Sequence, residues 1–266
     1  MIRAVVTGAA GRMGQRIIHM LHEEDGIALS GALERTGHPQ EGRDAGEIAG
    51  IGTIGVPLAA ILEPLLPDCD VVIDFTHPDV TEKALEAAAA AGCAFVTGTT
   101  GLTKKQTAFI EKHGATIPVL HAPNMSIGVN LLLKLLPMVA ATLRDAYDVE
   151  IIEAHHHFKK DAPSGTANKL AEVIAKALKR DPRTDYTHGR CGMVGERKPR
   201  EIGIHAVRGG DIIGDHTVMF CGKGERIEVA HRATSRDTFA SGAVRAAKWI
   251  VGQKPGLYAM GDVLGL

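Results

Sequence analysis

Ile2-Arg3-Ala4-Val5-Val6-Thr7-Gly8-Ala9-Ala10-Gly11-Arg12-Met13-Gly14 is the stretch that decides the fold. Its opening apolar run predicts a buried strand, and three glycines spaced three residues apart follow at once. Met13, Ile17, Met20 and Leu21 then recur at helical spacing, and Ile27 to Glu34 reads as a second strand. Glycines between a strand and a helix let the backbone turn tightly and approach a pyrophosphate, whose charge then faces the free N–H groups and positive end of the helix. Residues Ile2 to Arg35 are therefore expected to form the strand, loop, helix and strand that hold a nicotinamide dinucleotide. The spacing is G-x-x-G-x-x-G, not G-x-G-x-x-G, so the subtype stays open. A glycine-rich connection in any doubly wound fold, or a phosphate site for another nucleotide, is the alternative.

Glu34 ends the second strand at the separation where an acid accepts hydrogen bonds from an adenosine ribose, and Arg35 beside it could grip a 2′-phosphate. Having both residue types points to use of NADH and NADPH. Further strands are expected at Val71 to Phe75, Ala94 to Thr97 and Ile117 to His121, with an alanine-rich helix from Val80 to Ala91 stopped by Gly92. This alternation predicts a parallel sheet covered by helices, a Rossmann-like α/β domain over residues 1–126. Thr97-Gly98-Thr99-Thr100-Gly101 and Ala122-Pro123-Asn124-Met125 follow two of these strands, and the carboxyl ends of such strands line the ligand crevice.

The texture then changes. Residues 127–235 are expected to form an α+β domain with a mixed, largely antiparallel sheet: an apolar helix from about Ile127 to Leu143, a strand from Asp148 to Ala154, a helix around Leu170, and a long loop from Arg180 to Arg200. Glu201 to Val207, Asp215 to Cys221 and Arg226 to His231 read as strands joined through Gly209-Gly210-Asp211 and Gly222-Lys223-Gly224, as antiparallel hairpins would be. Residues 236–266 begin with an amphipathic helix from about Arg236 to Val251 that is expected to return to the first domain.

The 266 residues are 45% hydrophobic and 23% charged, an ordinary globular composition able to bury a core. Lys and Arg number 30 against 31 Asp and Glu, so no strong overall field favours nucleic acid or an anionic membrane as partner. The N-terminal apolar run reaches glycine before signal-peptide length, and no segment is expected to reach the roughly 20 apolar residues of a membrane span. The four cysteines are scattered, with no C-x-x-C pair, which reads as a cytoplasmic protein with reduced thiols.

The most unusual stretch is Glu153-Ala154-His155-His156-His157-Phe158-Lys159-Lys160-Asp161-Ala162-Pro163-Ser164-Gly165-Thr166. Ser164 is a natural N-cap, and Gly165 and Thr166 would present free N–H groups to an anion. A helix end contributes only about 0.3–1 kcal/mol, so a dianion also needs the neighbouring cations. A metal shared by Glu153, His155 and His157 is one alternative, and a solvated basic loop before a well-capped helix is another.

With these motifs the sequence resembles the dihydrodipicolinate reductase family, also called 4-hydroxy-tetrahydrodipicolinate reductases, of the diaminopimelate and lysine pathway. The resemblance covers nearly the whole chain. It runs through Gly8 to Gly14, Leu33-Glu34-Arg35, Asp74-Phe75-Thr76, Gly98 to Gly101, Asn124 to Asn130 and Glu153 to Ala167, then Val207-Arg208-Gly209-Gly210-Asp211 and Gly214-Asp215-His216-Thr217. It implies a first domain that binds NADH or NADPH, a second that binds a small cyclic dicarboxylate, and a homotetramer assembled through the second domain's sheet. It further implies that Gly8, Ala9, Ala10, Gly11, Arg12, Met13, Glu34, Arg35, Gly98, Thr99, Thr100, Ala122, Pro123, Asn124 and Met125 contact the cofactor. His156, Lys159, Gly165 and Thr166 would hold the substrate carboxylates, with Ser164 and Thr100 nearby, while His155 and Lys159 would be the candidates for proton delivery. Met125 stands where the family pattern leads one to expect phenylalanine, a change expected to alter packing beside the nicotinamide but not the backbone contacts. Two rivals share the first domain: a dehydrogenase acting on an amino acid or semialdehyde, and a non-catalytic sensor of NAD(H).

Overall fold

A computed structural model describes the chain from Met1 to Leu266 and divides it into two compact units. The first comprises Met1–Ile127 and Arg236–Leu266, and the second Gly128–Ser235. Along the chain, the first unit begins with β1 (Ile2–Thr7), α1 (Arg12–Glu23), β2 (Ile27–Leu33), α2 (Ala45–Ala49), β3 (Leu58–Ala59), a 3-10 turn at Glu63–Asp68, β4 (Val71–Asp74), α3 (Pro78–Ala91), β5 (Ala94–Thr97), α4 (Lys104–Gly114) and β6 (Pro118–His121). The second contains α5 (Ile127–Leu143), β7 (Asp148–His155), α6 (Gly165–Leu178), α7 (Pro182–Asp185), β8 (Tyr186–His188), β9 (Ile202–Arg208), β10 (Gly214–Cys221) and β11 (Arg226–Ala233). The chain then returns to the first unit as α8 (Asp237–Ile250), β12 (Gly256–Tyr258) and α9 (Met260–Leu264).

The first sheet is parallel throughout and ordered β12-β6-β5-β4-β1-β2-β3. Its central strands are apolar on both faces because helices cover both. Ala4, Val6, Ile73, Val96 and Leu120 point to the side of α1 and α8, where they pack with Ile17, Ile18, Ala243 and Ala247. Val5, Val72, Phe95 and Val119 point the other way and pack with Leu85 of α3 and Ile110 of α4. Local signals set the helix ends. Pro78 opens α3, Gly92 closes it in the left-handed conformation at φ 75°, and Thr103 and Gln106 form a capping box on α4.

The second sheet is mixed, ordered β11-β10-β7-β9-β8. β10 pairs antiparallel with both β11 and β7, but β9 runs parallel to β7 and β8. The expected hairpin between β9 and β10 is therefore absent. Instead Gly209 to Ile212 wrap around the end of β7: Gly209 N–H donates to the His155 carbonyl, while His156 and His157 N–H donate to Ile212 and Gly210 carbonyls. The expected long loop from Arg180 to Arg200 also contains α7 and β8. Val149, Ile151, Val218 and Phe220 turn inward against Leu170, Ala171 and Ile174 of α6 and Leu132 and Leu136 of α5.

One expectation is overturned here. The helical run Ile127–Ala146 is 20 residues, long and apolar enough to cross a membrane. Asn130 and Lys134 break its apolar sequence, which is why composition alone passed over it. Leu132, Leu136 and Ala140 on this helix belong to the second unit's core.

Candidate active site

The residues expected to bind cofactor gather at the carboxyl ends of neighbouring strands. Gly8 to Met13 follow β1 and enter α1, Glu34 and Arg35 follow β2, Gly98 to Thr100 follow β5, and Ala122 to Met125 follow β6. The sheet order reverses direction between β1 and β4, which is where open α/β sheets place their ligand crevice. Backbone bonds tie the loops side by side: Ala9 N–H to the Leu33 carbonyl at 3.0 Å, Gly98 N–H to Asp74 at 2.9 Å and Ala122 N–H to Thr97 at 3.1 Å.

The glycine loop fits a pyrophosphate. Gly8 holds φ at +68°, and a Cβ on Gly14 would lie 2.2 Å from the Gly8 carbonyl oxygen, so the turn closes only without side chains. Gly11 caps α1 with no side-chain bond, and no acid stands in the first turn, so the leading N–H groups remain available to an anion. Glu34 accepts a bond from the Arg35 N–H at 3.0 Å, and the Arg35 side chain is exposed. The Met125 side chain is 1% exposed and lies in the first unit's core. A Cβ on Gly242 of α8 would come 1.9 Å from the Met125 carbonyl oxygen, so that helix packs directly on the loop's backbone.

The second unit brings together the basic segment. Ser164 caps α6 by accepting from Ala167 N–H at 3.1 Å, which leaves Gly165 exposed in the first turn. Glu153 lies beneath, fully buried on the inward face of β7. Its carboxylate accepts both terminal nitrogens of Arg208 at 2.8 Å, Ser164 N–H at 3.0 Å and His155 Nδ1 at 2.7 Å. Burial pushes the Glu153 carboxyl up, but the bonds from Arg208, His155 and Ser164 outweigh it and hold it below the usual carboxylate range. The same pair pushes the Arg208 guanidinium up. Because Nδ1 of His155 donates to a carboxylate, Nε2 is the atom free to exchange a proton, and a Cβ on Gly214 would lie 3.1 Å from it. Lys159 pairs with Asp161 at 2.9 Å, a bond that holds the Asp161 carboxyl below its ordinary value.

The shared-metal alternative fails on this geometry. Glu153 already accepts four hydrogen bonds, two of them from Arg208, and β7 ends at His155, so the strand alternation that would align His157 stops there. His157 is exposed and lies on the Phe158 ring at a centroid distance of 3.7 Å.

Three residues gained no role from sequence reasoning beyond their place in matching motifs: Asp74, Arg208 and His216. His216 is 3% exposed, with Nε2 3.1 Å from Ser164 Oγ and its ring edge-on to His155. Burial, reinforced by the charge of His155, pushes it down to about 4. The signal that would have found Arg208 and His216 is their alternation on strands flanking β7, but it needs the sheet order.

A parallel sheet with a glycine loop at its switch point, joined to a second unit with a cationic helix-capped cradle, defines a nicotinamide-dependent oxidoreductase. Residues 2–125 match the dihydrodipicolinate reductase N-terminal family and residues 128–264 the dihydrodipicolinate reductase C-terminal family. The chain belongs to the dihydrodipicolinate reductase family. It is 54% identical to the 4-hydroxy-tetrahydrodipicolinate reductase of Geotalea daltonii, with all of both chains covered. It is 51% identical to that of Anaeromyxobacter dehalogenans, over 100% of this chain and 98% of the other. Among solved structures, the dipicolinate-bound dihydrodipicolinate reductase from Paenisporosarcina sp. TG-14 superposes with a TM-score of 0.74 at 28% identity, covering 97% of each chain.

Proposed function

We propose that this chain reduces 4-hydroxy-tetrahydrodipicolinate, through its dehydrated conjugated ring, to tetrahydrodipicolinate in diaminopimelate and lysine biosynthesis, using NADH or NADPH. The observation that supports it best is the cradle of Ser164, Gly165 and Thr166 beside a buried Glu153–Arg208–His155 network, because a dianionic ring needs N–H donors and cations together. The cofactor would supply a hydride from nicotinamide C4, held by Gly8 to Met13, Glu34, Arg35, Gly98 to Thr100 and Ala122 to Met125. Gly165 and Thr166 bind one carboxylate through their backbone, and His156 and Lys159 neutralise the charge. Lys159 Nζ or His155 Nε2 delivers the proton that reduction of the ring requires. Glu153 fixes the tautomer and orientation of His155 for that task.

In the same reading, the first unit is the dinucleotide-binding domain and the second the substrate-binding and tetramer-forming domain of a cytoplasmic homotetramer. The sheet face turned away from α6 presents Ile152 and Val207, 38% and 48% exposed, in support of a protein interface there. A coupled assay that generates the substrate freshly and follows loss of reduced cofactor tests the activity. Turnover is expected, and Lys159→Ala lowers kcat by about 10²–10⁴-fold. Cofactor binding with no turnover would leave a sensor, and turnover only of an amino acid or semialdehyde would leave the rival dehydrogenase.

A further inference from the structure

The first sheet holds one fully buried acid that the proposed chemistry does not use. Asp74 ends β4 after Val71-Val72-Ile73 and is 0% exposed. A valine there would continue the apolar strand without the cost of burying a carboxylate, so the acid runs against the local pattern. No cation pairs with it. Five threonine hydroxyls surround it instead: Thr7 and Thr76 reach Oδ1 at 2.8 and 2.6 Å, while Thr81, Thr97 and Thr99 reach Oδ2 at 2.6, 2.8 and 2.9 Å. A hydroxyl has a single proton, so a donor committed to Asp74 has its rotation settled by that carboxylate.

Three of these threonines belong to the cofactor loops. Thr7 ends β1 directly before Gly8, Thr97 ends β5 directly before Gly98, and Thr99 sits inside the second loop. The turn after Asp74 reinforces the arrangement. Gly98 N–H donates to the Asp74 carbonyl at 2.9 Å and Thr76 N–H to Thr99 Oγ1 at 3.1 Å. A Cβ on Gly8 would stand 2.9 Å from Thr76 Cγ2, and one on Gly98 would stand 2.2 Å from the Phe75 ring. Both glycine backbones therefore lie against Asp74-Phe75-Thr76.

We propose that Asp74 is a positioning residue that holds the pyrophosphate loop at Gly8 and the nicotinamide-side loop at Gly98 to Thr100 in one fixed relation before cofactor arrives. The proposal rests on the reading of those loops as the cofactor site. A carboxylate suits this role because both oxygens accept, whereas an amide would turn a donor toward hydroxyls that are already donating. Preformed loops bind their ligand without a further ordering cost, so loosening them appears as lost affinity and not as lost chemistry.

The test compares wild type with Asp74→Asn, which keeps the shape of the side chain. Kd for NADH and NADPH is read from nicotinamide fluorescence, Kd for dipicolinate from calorimetry, and loop order from amide hydrogen exchange without cofactor. The expected result is a tenfold or greater rise in cofactor Kd and KM, with kcat at saturating cofactor within threefold and dipicolinate affinity unchanged. Exchange should quicken in Gly8 to Gly14 and Gly98 to Gly101 only. Unchanged cofactor affinity in a folded variant would overturn the proposal, as would an equal loss of cofactor and dipicolinate binding. If Asp74→Asn does not fold, Thr97→Val removes one donor and is expected to raise cofactor Kd at least threefold; no change there also overturns it. Wild type that binds neither NADH nor NADPH would sink the cofactor reading itself, and this proposal with it.

Discussion

Acidification from pH 7 to pH 5 should destabilise the second domain through His216 in particular. Its ring is buried, its proton affinity is pushed down to about 4 by that burial and by the charge of His155, and the unfolded chain restores the ordinary value near 6.5. Between those values the unfolded state binds the proton and the folded state does not, so stability falls as pH falls through the window. A tenfold change in proton affinity is worth about 1.4 kcal/mol, which makes the full loss about 3 kcal/mol near pH 4 and about 2 kcal/mol at pH 5. His121 and His231 are also pushed down by burial and act in the same direction, so the contribution of His216 has to be read as a difference. His216→Gln keeps a polar group for Ser164 Oγ without a titrating ring. Urea unfolding of both proteins at pH 7 and pH 5 should show wild type losing about 2 kcal/mol more than the variant. Equal losses in the two proteins would refute the assignment of a buried neutral imidazole. Glu153 does not confuse this range. Its carboxyl is held below the ordinary value, so its contribution is present above about 4.3 and is lost only as pH falls further, through the lower folded value.

Arg208→Met strands the fully buried Glu153 carboxylate and should cost about 3–5 kcal/mol in chemical denaturation. Adding Glu153→Gln should recover about 1–3 kcal/mol of it, and strict additivity would show that the two do not interact. Gly14→Ala forces a Cβ to within 2.2 Å of the Gly8 carbonyl, so nicotinamide fluorescence should show cofactor binding largely lost, together with a destabilisation of about 1–3 kcal/mol. Steady-state kinetics should give NADH and NADPH similar kcat/KM values. Arg35→Ala should then lower only the NADPH value, by about 10–100-fold, the range of a lost charge-assisted hydrogen bond; an equal effect on both would remove Arg35 from 2′-phosphate recognition.

The parallel sheet was legible because each of these strands carries consecutive apolar residues close to a glycine, a proline or a helix start; β1, β4, β5 and β6 fall within one or two residues of the expected bounds. β3 and β12, of two and three residues, are too short to show a period, and α2 and the Glu63–Asp68 turn span no more than two helical turns. The pairing of β9 was misread for a different reason. Gly209 and Gly210 carry the composition of a hairpin turn, but here they let the chain wrap the end of β7, a use that only the tertiary neighbour reveals. The same holds for the candidate site. Ser164, Gly165 and Thr166 announce a capped helix within four residues, whereas Glu153 meets Arg208 55 residues away and Ser164 meets His216 52 residues away. No local pattern encodes those meetings. Asp74 was hidden similarly, since its five hydroxyl partners are spread from Thr7 to Thr99.

Strand β12 has a bearing on how the protein is made. It pairs along β6, and helix α8 before it buries Ala240, Ala243, Ala247 and Ile250 against the first sheet, yet both are translated only after the whole second domain. At roughly 5–20 residues per second, the nascent first domain therefore waits several seconds on the ribosome with α8 and α9 missing and the β6 edge unpaired. During that interval its apolar sheet face is the natural client of a chaperone, and the domain that emerges first is the one that finishes last.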